Sequence, residues 1–145
     1  MRFFFQWLLL GTLLVTLAAC SNALDNEAEA NLESAVQAMI DKASEGDSVV
    51  SIQEGSWICA ETTARGQTMV SCMFFFTYET LSGATHYASV SAGGSEDNKT
   101  ASATLYDNTA SFTAARETAL DNMRSFGEDV SEGELSQEAI DAVMD

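Results

Sequence analysis

The 145-residue chain contains no proline, a single histidine and only six lysines and arginines, and each shortage removes a class of explanation. Without proline or a long Gly/Ser stretch there is no linker of the kind that separates domains, and no repeat at a solenoid period is present. One compact domain is the expectation. With His86 alone, two cysteines have no companion histidines to complete a zinc site, and a catalytic triad has one candidate base. Six cations against 22 acids repel phosphate backbones, so no nucleic-acid partner is expected. Missing too are a Gly-x-Ser-x-Gly elbow, a phosphate loop, a zinc-protease helix and an EF-hand loop. No catalytic residue, cofactor or metal site is therefore assigned.

The long apolar run is N-terminal. Arg2 provides a short positive start, and Phe3 to Leu17 follow with only Gln6, Thr12 and Thr16 as polar interruptions. Seventeen residues separate Arg2 from Cys20, whereas a membrane-spanning helix usually needs about 20 apolar residues. No Lys or Arg lies just beyond Cys20 to act as a stop-transfer signal. The stretch thus reads as a cleaved leader.

Its last four residues, Leu17, Ala18, Ala19 and Cys20, form a lipobox, and this segment resembles the processing site of bacterial lipoproteins. The resemblance covers residues 1 to about 21. It implies a diacylglyceryl group on the Cys20 thiol, cleavage ahead of Cys20 and acylation of the new amino terminus by a chain such as palmitate. Two or more acyl chains suffice for stable anchoring, at about 0.8 kcal/mol per buried methylene. In Gram-negative members of the class an aspartate after the cysteine favours inner-membrane retention. Ser21 stands there instead, so for a Gram-negative cell the resemblance implies an outer membrane facing the periplasm.

Removal of residues 1–19 leaves five Lys and Arg against 22 Asp and Glu, a formal charge of −17 on 126 residues. That length suits one core. The charge keeps a tethered domain soluble and favours cationic proteins as partners. The expected organisation is a leader at 1–19, an acylated N-terminus and tether at 20–30, and a single α+β domain at 31–145.

Within that domain Leu32, Val36, Met39, Ile40 and Ala43 recur at helical spacing, with Gly46 ending the segment. From Ser48 to Asp107 the composition turns β-branched, aromatic and Thr-rich. Strands are predicted near Val49–Gln53, Trp57–Thr63, Thr68–Thr80, Thr85–Ser91 and Ala101–Tyr106. Turns are placed at Glu54-Gly55, Arg65-Gly66 and Ser82-Gly83, with a longer loop from Ala92 to Lys99. Met73–Phe76, apolar at every position, reads as a central strand buried on both faces. Phe112, Ala115, Ala119, Leu120, Met123 and Phe126 mark another helix, capped by Gly127. Ser131, Gly133 and Ser136 interrupt the chain before a short helix carrying Ala139, Ile140, Val143 and Met144.

The predicted fold is α+β: an N-terminal helix, an antiparallel meander of four to five strands with a disulfide-linked hairpin, then one or two C-terminal helices. The helices are expected to cover one face of the sheet. The order is similar, in topology alone, to cystatin-type wraps.

A two-residue turn at Arg65-Gly66, or equally a four-residue loop from Ala64 to Gln67, sets Cys59 opposite Cys72 and Trp57 opposite Phe74. Such a pair lies within disulfide reach, and the compartment implied by the leader permits the bond. The twelve intervening residues rule out Cys-x-x-Cys redox spacing. A two-residue turn at Ser82-Gly83 would set Glu79 opposite His86, where a carboxylate could orient a base, although an ordinary cross-strand contact is the commoner meaning of such a pair. The oxygen-rich segment Gly93, Gly94, Ser95, Glu96, Asp97, Asn98 lacks the alternating spacing of a calcium loop, and the Asn98-Lys99-Thr100 sequon is read as chance.

These features support a membrane-anchored, non-enzymatic binding or accessory protein of the bacterial envelope. Its partners would be the membrane, through the lipid, and a basic envelope protein. The alternative is an inhibitor of a cationic periplasmic enzyme such as lysozyme.

Overall fold

The structure is a computed structural model that describes residues 23–95 and 98–145. The leader and Cys20 lie outside the described residues, as do Glu96 and Asp97. The elements are α1 (Ala23–Ala43), β1 (Val49–Ala64), β2 (Gln67–Thr80), β3 (Thr85–Ser95), β4 (Asn98–Tyr106), α2 (Thr109–Phe126), β5 (Asp129–Glu134) and α3 (Gln137–Met144). The five strands form one antiparallel sheet in the order β4-β3-β2-β1-β5. Among the described residues no helix is long and apolar enough to cross a membrane.

β2 is the middle strand, as its unbroken apolar run requires. Successive side chains of a strand point to opposite faces, and here the faces belong to different helices. Cys72, Phe74, Phe76 and Tyr78 join the main core with Leu24, Leu32, Val36 and Met39 of α1. Phe74 and Phe76 lie parallel, their ring centroids 6.1 Å apart. Phe75 points the other way and meets Phe112 of α2. The helices therefore cover both faces, not one. A central strand apolar on each side leaves two surfaces to bury, and a single helical layer covers only one of them.

α1 begins earlier than the helical stripe suggested. Leu24 and Ala28 are buried in the core, so the segment expected as a tether is helical from Ala23 onward. On the sheet beneath, Ala88, Ala92, Ala101 and Ala103 are small enough to let the helix approach closely.

The segments expected as two strands, Val49–Gln53 and Trp57–Thr63, are one continuous β1 whose register against β2 slips between Val49 and Ser51 and again between Ile52 and Glu54. The polar Glu54-Gly55 pair marks a bulge here, not a turn. A further strand appears where a break between helices was expected. β5 pairs with β1 from Ser56↔Glu134 to Glu61↔Asp129, and a strand this short at a sheet edge has too few residues for its alternation to stand out in the sequence.

α3 is capped by Ser136, whose hydroxyl accepts from the Ala139 N–H at 3.2 Å. It sends Ile140, 1% exposed, into the main core. α2 starts at Asn108, whose Oδ1 accepts from the Ser111 N–H at 2.9 Å, and it ends at Gly127, whose N–H bonds the Met123 carbonyl.

Candidate functional site

Cys59 and Cys72 are directly opposed and bonded, with Cα atoms 4.1 Å apart. Both are fully buried on the α1 face. The turn that brings them together has left-handed backbone at Arg65 (φ 52°) and Gly66 (φ 75°), the conformation of a two-residue type I′ hairpin. Trp57 faces Phe74, as that turn dictates. A disulfide sealed beneath a helix braces the sheet and offers no sulfur to solvent.

The second hairpin departs from the expected register by one residue. The Gly83 N–H bonds the Thr80 carbonyl at 2.9 Å, the Thr80 N–H bonds the Ala84 carbonyl at 3.3 Å, and Gly83 has φ 79°. This is a three-residue loop closed by a left-handed glycine. A shift of one residue exchanges the faces. Tyr78, not Glu79, faces His86, and Phe74 faces Val90. The rings of Tyr78 and His86 lie 5.5 Å apart, and burial pushes the Tyr78 phenol above its ordinary 10.0. Glu79 lies on the opposite face and accepts from Gln53 Nε2 at 3.0 Å. The candidate carboxylate–histidine pair is thereby separated.

The same loop is tied to the end of α1. Asp47 Oδ2 accepts from the Ser82 N–H at 3.2 Å. The Ser82 hydroxyl, and next that of Thr80, hold the Asp47 carboxyl below its ordinary 3.8.

Gly93 and Gly94, expected in a long loop, extend β3, and β4 begins at Asn98. Among the described residues no group of three His, Cys, Asp or Glu side chains is placed to hold a metal ion.

The feature best suited to binding lies elsewhere, on the face covered by α2. A pocket of about 260 Å³ opens where the β1 bulge, the first turns of α2 and the β5–α3 corner meet. The bulge swings Gln53 and Glu54 to its edge. Gly55 lets the corner close over the strand: its carbonyl accepts from the Leu135 N–H at 2.8 Å, and a Cβ there would stand 2.6 Å from Leu135 Cδ1. Phe75 and Ile140, both buried, supply an apolar floor.

Arg116 reaches into this space from α2. Its guanidinium carbon lies 5.8 Å from the centroid of Phe75, within cation–π range. Its Nε is buried and has no hydrogen-bond partner. Among the described residues the ion pairs belong to Lys42 and Arg124, and Arg116 has none. The guanidinium therefore lines the pocket with no carboxylate of the described residues paired to it, while its Nε, with almost no accessible surface, lies out of reach of a ligand. Arg116 was not among the residues expected from sequence. Its signal was present: it is a cation four residues after Phe112, inside the apolar stripe of α2.

The chain matches no protein-family model, no curated protein and no solved structure.

Proposed function

We propose that this chain is a lipid-anchored envelope protein of bacteria that binds a ligand or partner without transforming it. The anchor rests on the Leu17–Cys20 lipobox. The observation that carries the binding role is Arg116, a guanidinium that lines the pocket and has no ion-pair partner among the described residues. A guanidinium so placed can meet a ligand's carboxylate or other acceptor through its terminal nitrogens. The separation of Glu79 from His86 removes the one acid–base pair the sequence offered and favours binding over catalysis.

A second reading, inhibition of a cationic periplasmic enzyme, draws on the charge of −17 beyond Cys20, which steers basic proteins toward the domain. Association of that kind would slow as salt rises past about 0.15 M, where the Debye length is about 8 Å.

The test begins with protein purified from membranes in detergent. Its intact mass should correspond to a chain starting at an acylated Cys20, and the mass of the unmodified full chain would overturn the anchor. Native mass spectrometry of the same material should find a ligand or partner retained at one-to-one ratio and released by Arg116→Gln. Retention unaffected by that substitution would overturn the role given to the pocket, and turnover of an envelope polymer would overturn the non-enzymatic reading.

A further inference from the structure

The charges around Arg116 narrow the ligand class. Building on the proposal that this pocket is the binding site, we infer that it takes a small zwitterion, an amino acid or dipeptide, whose carboxylate meets Arg116 and whose ammonium group meets Glu54 and Glu134. Arg116 is the one cation among the pocket's lining residues, and Glu54 and Glu134 are its two acids. Neither glutamate forms an ion pair with the guanidinium, so both signs remain open to a ligand.

A plain anion would gain from Arg116 but would meet two exposed carboxylates and the field of a chain carrying 22 acids. A plain cation would gain from the carboxylates and leave the Arg116 guanidinium without a counter-charge. Only a molecule bearing both charges satisfies both halves. The guanidinium fork matches a carboxylate in two-point geometry, while an ammonium group is a compact donor suited to carboxylate oxygens at a wet rim.

Size and lining set the remainder. About 260 Å³ is the share of roughly nine water molecules at about 30 Å³ each, just under the range of drug-sized sites, about 300–1,000 Å³. Gln53 and Gln137, exposed at the edge, have their amide nitrogens bonded to Glu79 and Asp141 and offer their amide oxygens to a peptide N–H, which an amino acid would leave unused and a dipeptide would meet.

The test uses the full chain in detergent micelles, isotope-labelled at arginine nitrogen, with the Nε–H resonance of Arg116 assigned through Arg116→Lys. Four probes are titrated: leucine, N-acetyl-leucine, leucinamide and alanyl-leucine. Leucine should move the Arg116 resonance saturably. N-acetyl-leucine, which lacks the ammonium charge, and leucinamide, which lacks the carboxylate, should each bind at least tenfold more weakly. Glu134→Gln, an exposed change that leaves the core untouched, should weaken leucine and, by removing a repelling carboxylate, strengthen N-acetyl-leucine. Tighter binding of alanyl-leucine than of leucine identifies the dipeptide as the ligand, and the reverse identifies the amino acid.

N-acetyl-leucine binding as tightly as leucine would overturn the zwitterion, and so would indifference of leucine binding to Glu134→Gln. Absence of a saturable shift with all four probes would overturn the ligand class outright. A one-to-one ligand released by Arg116→Gln in the native mass experiment would then leave the binding role standing, so the two failures are distinguishable.

Discussion

Phe75 and Phe112 meet edge to face, their ring centroids 6.4 Å apart and their planes inclined at 67°. Phe112 also lies 5.1 Å from Tyr87 and 5.8 Å from Tyr106, so one side chain of α2 engages rings from three strands. No other anchor of that kind is found along the helix: among its 18 residues none is buried. α2 is anchored at its first turns by Phe112, and near its end Arg124 ties it to β5 through Glu132 at 2.8 Å. Because Arg116 follows Phe112 by one turn, the same contact positions the pocket's cation.

Phe112→Ala should therefore release α2 before the sheet. A buried phenylalanine cut to alanine costs about 3–5 kcal/mol, and this half-buried one should cost on the order of 2 kcal/mol. Amide hydrogen exchange is the measurement: protection in α2 should fall while β1 to β3 keep theirs. A uniform loss across the sheet would show that α2 and the sheet open as one unit.

Replacing Cys59 and Cys72 together by serine should lower stability by about 3 kcal/mol, the chain-entropy estimate for a loop of this length. The corresponding fall in melting temperature is on the order of 10 °C. Labelling of the denatured, unreduced wild type should find neither residue as a free thiol.

Arg65 should be improvable. It occupies the left-handed region (φ 52°) at the first position of the hairpin turn, where a side chain like arginine costs about 1–2 kcal/mol and asparagine is favoured. Arg65→Asn should raise the melting temperature by a few degrees, equivalent to about 1 kcal/mol. No gain would mean that the arginine makes a compensating contact in the folded state.

The pH dependence has a defined sign at each end. Burial raises the folded Tyr78 phenol above 10.0, so the unfolded chain loses that proton first. The contribution of Tyr78 is whole below pH 10 and is lost as pH rises through the folded value. Tyr78→Phe should flatten the alkaline decline in stability. At the acid end, Asp47 is held below 3.8, chiefly by the Ser82 hydroxyl, so its contribution is present above that value and lost as pH falls through the folded one. Asp47→Asn should flatten the acid limb in the same denaturation series.

The disulfide was legible because everything that determines it is local. A two-residue turn at Arg65-Gly66 and alternation along two strands suffice to bring Cys59 to Cys72. Phe74, Phe75 and Phe76 likewise announce a strand buried on both sides, and Leu32, Val36 and Met39 a helix packed on a core. Hairpin chemistry, strand period and helix period are carried by a few neighbouring residues, and the sequence by itself determined them.

Other features depended on contacts between distant segments. Ser82-Gly83 is compatible with a two- or a three-residue loop, and the choice that sends Glu79 and His86 to opposite faces is made by how β2 and β3 pack on the helices. Glu54-Gly55 reads as a turn until the β5–α3 corner closes over it and Leu135 seats against the glycine. β5 is a strand because β1 offers it an edge. Arg116 is one cation on a helix until Phe112 docks on Phe75, and only then does its Nε lose water without gaining a partner. Burial is a property of assembled surfaces, so a pocket built from β1, α2 and the β5–α3 corner exists only in the tertiary structure.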